Sequence, residues 1–84
     1  MSFIKVHTKN YIIVHGFDNL NKEIEEYVEV ETATEKLIAV SRIQSVSEKF
    51  ILTTYAYNRY IYYEYEEDYN DIVHALKVNS LLII

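Results

Sequence analysis

The chain has 84 residues and a formal net charge of −5, with 13 Asp and Glu against 8 Lys and Arg. It has no Cys, no Pro and one glycine, Gly16, which excludes a disulfide framework, a cysteine metal centre and a glycine-rich phosphate loop. Half of it is hydrophobic, with 9 Tyr and 3 Phe, so a single folded domain over 1–84 is expected rather than a disordered chain.

FIKVHT (3–8) and YIIVHG (11–16) are rich in β-branched and aromatic residues and read as two strands, with Lys9-Asn10 as a tight turn between them. Gly16 is placed to end the second strand. The segment 18–36 carries two patterns. Leu20, Ile24, Tyr27 and Val28 recur at helical spacing behind the N-cap candidates Asp18 and Asn19, yet Tyr27 to Glu31 alternates as a strand does. The favoured reading is a short helix near 20–28 running into a strand.

LIAVSRIQSVS (37–47) reads as a strand bent near Ser41-Arg42. FILTTYAY (50–57) and YIYYEY (60–65) read as a hairpin turning at Asn58-Arg59. Over 66–78, Tyr69, Ile72, Val73 and Leu76 make an apolar stripe at i, i+3, i+4 and i+7, which predicts a helix. Glu66, Glu67 and Asp68 at its start and Lys77 near its end suit the helix dipole. SLLII (80–84) is an apolar tail that needs cover from the sheet, the helix or a second copy.

The expected fold class is therefore α+β: a small antiparallel sheet of four to five strands with a C-terminal helix packed on it. The expected core is Ile4, Val6, Ile12, Val14, Ile38, Val40, Ile43, Val46, Leu52, Ile61, Ile72, Val73 and Leu76.

Six of the nine tyrosines fall between Tyr55 and Tyr65. A two-residue turn at Asn58-Arg59 would pair Tyr57 with Tyr60 and Tyr55 with Tyr62, on one face with Thr53 and Glu64. Two readings of this face compete. In one, the cross-strand ring pairs stabilise the sheet and another segment covers them. In the other, Tyr55, Tyr57, Tyr60 and Tyr62 form a recognition surface, with Glu64, Glu66, Glu67 and Asp68 steering a partner towards it. A one-residue change in the turn would exchange the faces.

Catalysis finds no support. His7, His15 and His74 lack the spacing of a helical zinc site, and Ser41, Ser45 and Ser47 lack a nucleophile elbow. No metal and no cofactor is expected. Charge is uneven: +2 over 1–17, −5 over 18–36, +2 over 37–63 and −4 over 64–84. Such a balance repels nucleic acid and membrane surfaces and attracts a basic protein. The acids Glu23, Glu25, Glu26, Glu29, Glu31 and Glu35 read either as a solvated face or as an imitation of phosphate spacing. The opening MSFIKVHTKN has no long apolar run behind its lysines and does not read as a signal peptide.

LIAVSRIQSV, FILTT and YIYYEYEEDYNDIVHAL, together with the opening FIKVH, resemble a group of very short bacterial and phage proteins that includes the small flagellar FlbD-type proteins. The resemblance centres on 37–78. It implies a bent strand, a hairpin and a closing acidic helix, and it implies a fold more than a function. The chain departs from the group at Asn58-Arg59, where a glycine is usual, and over 9–36, which look like an insertion.

The expectation for function is a non-enzymatic, acidic protein-binding module encoded by a phage or mobile element. It would act in the bacterial cytoplasm as an inhibitor or modulator of a basic nucleic-acid-binding host protein, such as a defence nuclease of the CRISPR type. The alternative is a structural homo-oligomer that buries its tyrosine face and SLLII tail in itself.

Overall fold

A computed structural model describes residues 2–78; the SLLII tail lies outside them. The fold is α+β, an antiparallel sheet with one C-terminal helix. Its strands are β1 (Phe3–Phe17), β2 (Glu23–Val28), β3 (Thr34–Ala39), β4 (Ile43–Val46), β5 (Phe50–Tyr55) and β6 (Arg59–Tyr65), followed by the helix α1 (Tyr69–Val78). The described residues form 6 strands, more than the four to five expected.

The differences lie before residue 47: the strands expected at 3–8 and 11–16 are one, β2 replaces the expected helix, and the expected strand 37–47 divides into β3 and β4. Lys9-Asn10 does not turn; FIKVHTKNYIIVHGF is one strand of 15 residues. Along β1, Ile4, Val6 and Thr8 are buried, and beyond the dipeptide Tyr11 and Ile13 pack on the same core. The register against β6 slips between Thr8 and Tyr11, which is the signature of a bulge. One extra residue moves the inward set from even to odd positions. The polar pair therefore bends the strand without ending it, and Asn10 Oδ1 accepts a hydrogen bond from the Val30 amide across the gap, at 2.9 Å.

The helix expected near 20–28 is absent, and β2 stands in its place. Asp18 reverses the chain: its carboxylate accepts from the Leu20 and Lys22 amides at 2.8 and 3.0 Å, while Asn21 adopts φ +60°. That turn delivers EIEEYV alongside the free edge of β1, from Phe17↔Glu23 to Tyr11↔Val28. Paired backbone outweighs the helical spacing of four apolar residues, none of which would have found a core to face.

The bend expected near Ser41-Arg42 is a short 3-10 turn, Val40–Arg42, between β3 and β4. It has a large geometric effect. Ala39 sits beside Phe3, and Ile43 lies in the row Ile43↔Thr53↔Ile61↔Ile13. On a flat sheet Phe3 and Ile13 would be about 33 Å apart along β1. Four residues of chain reach at most about 14 Å. The sheet must therefore curl until β3 and β4 meet. Ile4, Val6, Ile38, Ile51, Ile61, Tyr63 and Tyr65 line the inside of the curl, and Ile72 of α1 closes it with Ala75 and Leu76.

The helix begins at Tyr69 rather than residue 66, because the Asp68 carbonyl takes the first helical bonds, from the Asp71 and Ile72 amides. Ile72 is buried as the apolar stripe predicts, whereas Tyr69 is exposed.

Thr53 is the anomaly of the core. It is 1% exposed, and its hydroxyl has no hydrogen-bond partner among the described residues. A buried hydroxyl left unpaired costs about 1–3 kcal/mol of desolvation. Thr53→Val keeps the shape and removes the polar atom. It is expected to raise stability by about 1 kcal/mol, seen as a higher urea midpoint with an unchanged slope.

Candidate functional site

The hairpin turns over three residues, Ala56-Tyr57-Asn58, not two. Tyr55 pairs with Arg59, Thr54 with Tyr60, Leu52 with Tyr62 and Phe50 with Glu64. Tyr57 and Asn58 both take φ +59°, a conformation that Asn tolerates and that is unusual for an aromatic residue. This register exchanges the faces of β5 while leaving those of β6 as expected.

The four-tyrosine patch is thereby divided. Tyr60 and Tyr62 lie on the outer face, away from the core. Tyr55 sits at the strand end on the Thr53 side, with the Arg59 guanidinium 4.8 Å from its ring centre. Tyr57 projects from the loop at 91% exposure.

The acids are divided too. Glu64 is on the outer face, 3.5 Å from Lys49 Nζ. The Glu66 amide bonds the His7 carbonyl. Glu67 is a structural clasp: its carboxylate accepts from the His7 amide at 2.9 and 3.1 Å and meets His7 Nδ1 at 2.8 Å. Asp68 starts the helix.

The clasp couples two titrations. The hydrogen bond with Glu67 raises the pKa of His7 above 6.5. Burial pushes Glu67 up, but the His7 side-chain and backbone hydrogen bonds outweigh it and hold Glu67 below 4.5. The histidine's contribution to stability is complete below its unfolded pKa and fades as pH rises through the raised folded value. The carboxylate's is present above its unfolded pKa and fades as pH falls through the lowered one. The pair therefore helps most between the ordinary values of 4.5 and 6.5. His7→Gln is expected to flatten the fall in thermal midpoint between about pH 5.5 and about pH 8.5.

The outer face gathers other residues. After the bulge in β1, Ile12 and Val14 point outward, where the rows Tyr27–Ile12–Tyr62–Leu52 and Glu25–Val14–Tyr60–Thr54 cross the sheet. Ile12, Val14 and Leu52, expected in the core, thus belong to this second surface; Val14 is buried there and the other two are half-buried. A second bulge, between Val14 and Phe17, adds Phe17 to the same side. Gly16 makes it with φ +128°, in the region favoured by glycine; the space around its α-carbon is open, so backbone conformation alone demands a glycine here.

Val14, Phe17, Glu23, Leu52, Tyr60 and Tyr62 line a cavity of about 160 Å³ that is half open to solvent. Beside it the Tyr27 hydroxyl donates to the Glu25 carboxylate at 2.7 Å, with Glu23 the next outward residue on β2. The hydrogen bond with Glu25 raises the Glu23 pKa above that of an ordinary glutamate, and burial and the Glu25 charge push the same way. Burial, then the two carboxylates, raise Tyr62. Among the described residues, no ion pair neutralises Glu23 or Glu25.

Sequence reasoning placed Tyr60, Tyr62 and Glu64 on one face and missed Phe17, Glu25 and Tyr27 as their neighbours. The strand alternation of Tyr27 to Glu31 was the signal that could have found them. Among the described residues no group of three His, Cys, Asp or Glu could hold a metal ion, and no helix is long and apolar enough to cross a membrane. Comparison with protein-family models, with curated proteins and with solved structures finds no match.

Proposed function

We propose that this chain is a non-enzymatic protein-binding module whose outer sheet face occupies the surface of a basic partner. One observation carries the reading. The face opposite the helix bears half-buried Ile12, Leu52 and Tyr62 with exposed Phe17, Tyr27 and Tyr60, and its rim carries Glu23 and Glu25, while Glu64 is paired with Lys49. An apolar, aromatic centre with a charged rim is how protein interfaces are built. The sign of the rim asks for Lys and Arg on the other side.

The class of partner that suits this chemistry is a nucleic-acid-binding protein, whose groove is already lined with basic residues. Occupying such a groove would make the chain an inhibitor or modulator, as expected of a phage or mobile-element product acting on a host nuclease. Nucleic acid itself is disfavoured by the same carboxylates. The homo-oligomer reading gains nothing from this face, because two copies docked through it would oppose their carboxylates.

The test is an affinity capture from bacterial lysate with wild-type bait beside Tyr60→Ala/Tyr62→Ala and Tyr57→Ala. A basic protein retained by wild type and by Tyr57→Ala, and lost with the folded double variant, is the expected result. Recovery of the bait alone, with a dimer in sedimentation, would replace this reading by self-association.

A further inference from the structure

The cavity on the outer face has a chemistry of its own. Its lining joins the aliphatic Val14 and Leu52 to the aromatic Phe17, Tyr60 and Tyr62 and to Glu23, and Glu25 pairs with Val14 alongside. It is about 160 Å³, room for one long side chain rather than for a segment of chain.

We propose that this slot is an arginine anchor: it takes one guanidinium side chain from the partner's surface, against the aromatic rings and the Glu23–Glu25 carboxylates. The inference rests on the protein-binding reading and names the residue through which that reading operates.

Each part of an arginine side chain meets a matching surface. Its methylene stem suits Val14 and Leu52. Its planar, weakly hydrated head stacks on aromatic faces, as an ammonium does less well. Its fork of N–H donors can serve two carboxylates at once. An apolar side chain would fill the cavity and leave the carboxylates without a counter-charge, and an acidic one would be repelled. Among the described residues no cation pairs with Glu23 or Glu25. Arg59 is held by the Ala56 carbonyl and packs against Tyr55 and Tyr57, Arg42 bonds the Thr54 carbonyl, and Lys49 pairs with Glu64.

The slot is also a construction of two irregularities. Without the bulge after Thr8, Val14 would face the core; without the bulge at Gly16, Phe17 would face away from Val14.

The test titrates N-acetyl-arginine methylamide into the chain and follows the Phe17, Tyr60 and Tyr62 ring resonances. The uncharged citrulline analogue and the lysine analogue run in parallel. Saturable shifts at the three rings with a millimolar Kd are expected, with citrulline at least about tenfold weaker and lysine in between. Glu23→Gln/Glu25→Gln should weaken arginine binding by about tenfold while leaving the remaining spectrum in place. Equal binding of citrulline, lysine binding as tight as arginine, shifts spread away from the slot, or no saturable shift would each overturn the anchor.

Partner capture separates this failure from that of the broader reading. If the Glu23→Gln/Glu25→Gln variant still captures a protein that Tyr60→Ala/Tyr62→Ala has lost, the face stands and the anchor falls. If arginine saturates the slot and wild type captures nothing, the anchor stands and the face loses its partner.

Discussion

Ile61→Ala is expected to destabilise the fold by about 2–5 kcal/mol, the cost of deleting an enclosed isoleucine side chain together with the cavity it leaves. Ile61 is 2% exposed and lies at the middle of the row that the curl wraps, between Ile13 on β1 and Thr53 on β5. Its neighbours Ile51 and Val6 are fully buried, and the strands around them are tied by backbone pairing, so collapse into the void is limited. A domain of this size holds about 5–15 kcal/mol in total. Each kilocalorie lost lowers the melting midpoint by about 4–8 °C at this length. Leu37→Ala is the control, at a side chain 65% exposed on the other side of β3 from Ile38, and should fall within about 0.5 kcal/mol of wild type. Urea unfolding of the two variants measures the contrast. Equal, small effects would mean that Ile61 is not enclosed and that the sheet does not curl.

The second large effect is on binding. Tyr60→Ala/Tyr62→Ala is expected to weaken capture of the partner by about 30-fold or more, since a central aromatic hot spot contributes about 2 kcal/mol or more on truncation. Both rings border the cavity together with Glu23. Tyr57→Ala removes a ring of equal size and should change affinity by less than about threefold, because Tyr57 stands on the loop, outside this face. Circular dichroism of each variant separates lost binding from lost fold. Tyr62 is half-buried, so Tyr62→Phe provides a milder comparison: it keeps the ring and removes only the hydroxyl. Isothermal titration with the captured partner gives the numbers. A Tyr57→Ala loss as large as that of the double variant would move the interface to the loop.

What the sequence made legible lies mostly after residue 36. The alternation in YIYYEY sorted Ile61, Tyr63 and Tyr65 inward and Tyr60, Tyr62 and Glu64 outward, because a strand's period is independent of its partner. Partner register is a different quantity. It depended on whether the turn had two or three residues, and Tyr57 at φ +59° gave no warning, since nothing about a tyrosine advertises that conformation. The helix was legible from Ile72, Val73 and Leu76, and only its first turn was misplaced. The first half misled for local reasons. Lys9-Asn10 has the polarity of a turn but serves as a bulge, and Leu20, Ile24, Tyr27 and Val28 matched a helix by spacing while the first belongs to a turn and the other three to an edge strand. The candidate site inherits both difficulties. Phe17, Glu23, Glu25 and Tyr27 come together only through the β1–β2 pairing, which the sequence did not disclose.

The place of β1 in the sheet also decides when the molecule can exist. Its first partners, β2 and β3, follow it directly, but its other side is completed by residues 60–65 of β6. During synthesis the early hairpin can form while Tyr11, Ile12, Ile13 and Val14 still offer an open, apolar edge to any other nascent copy. Closure waits for β6, so folding depends on contacts distant in sequence. The outer edge of β2 carries Glu23, Glu25 and Glu26, and charge on an exposed strand opposes edge-to-edge pairing of copies.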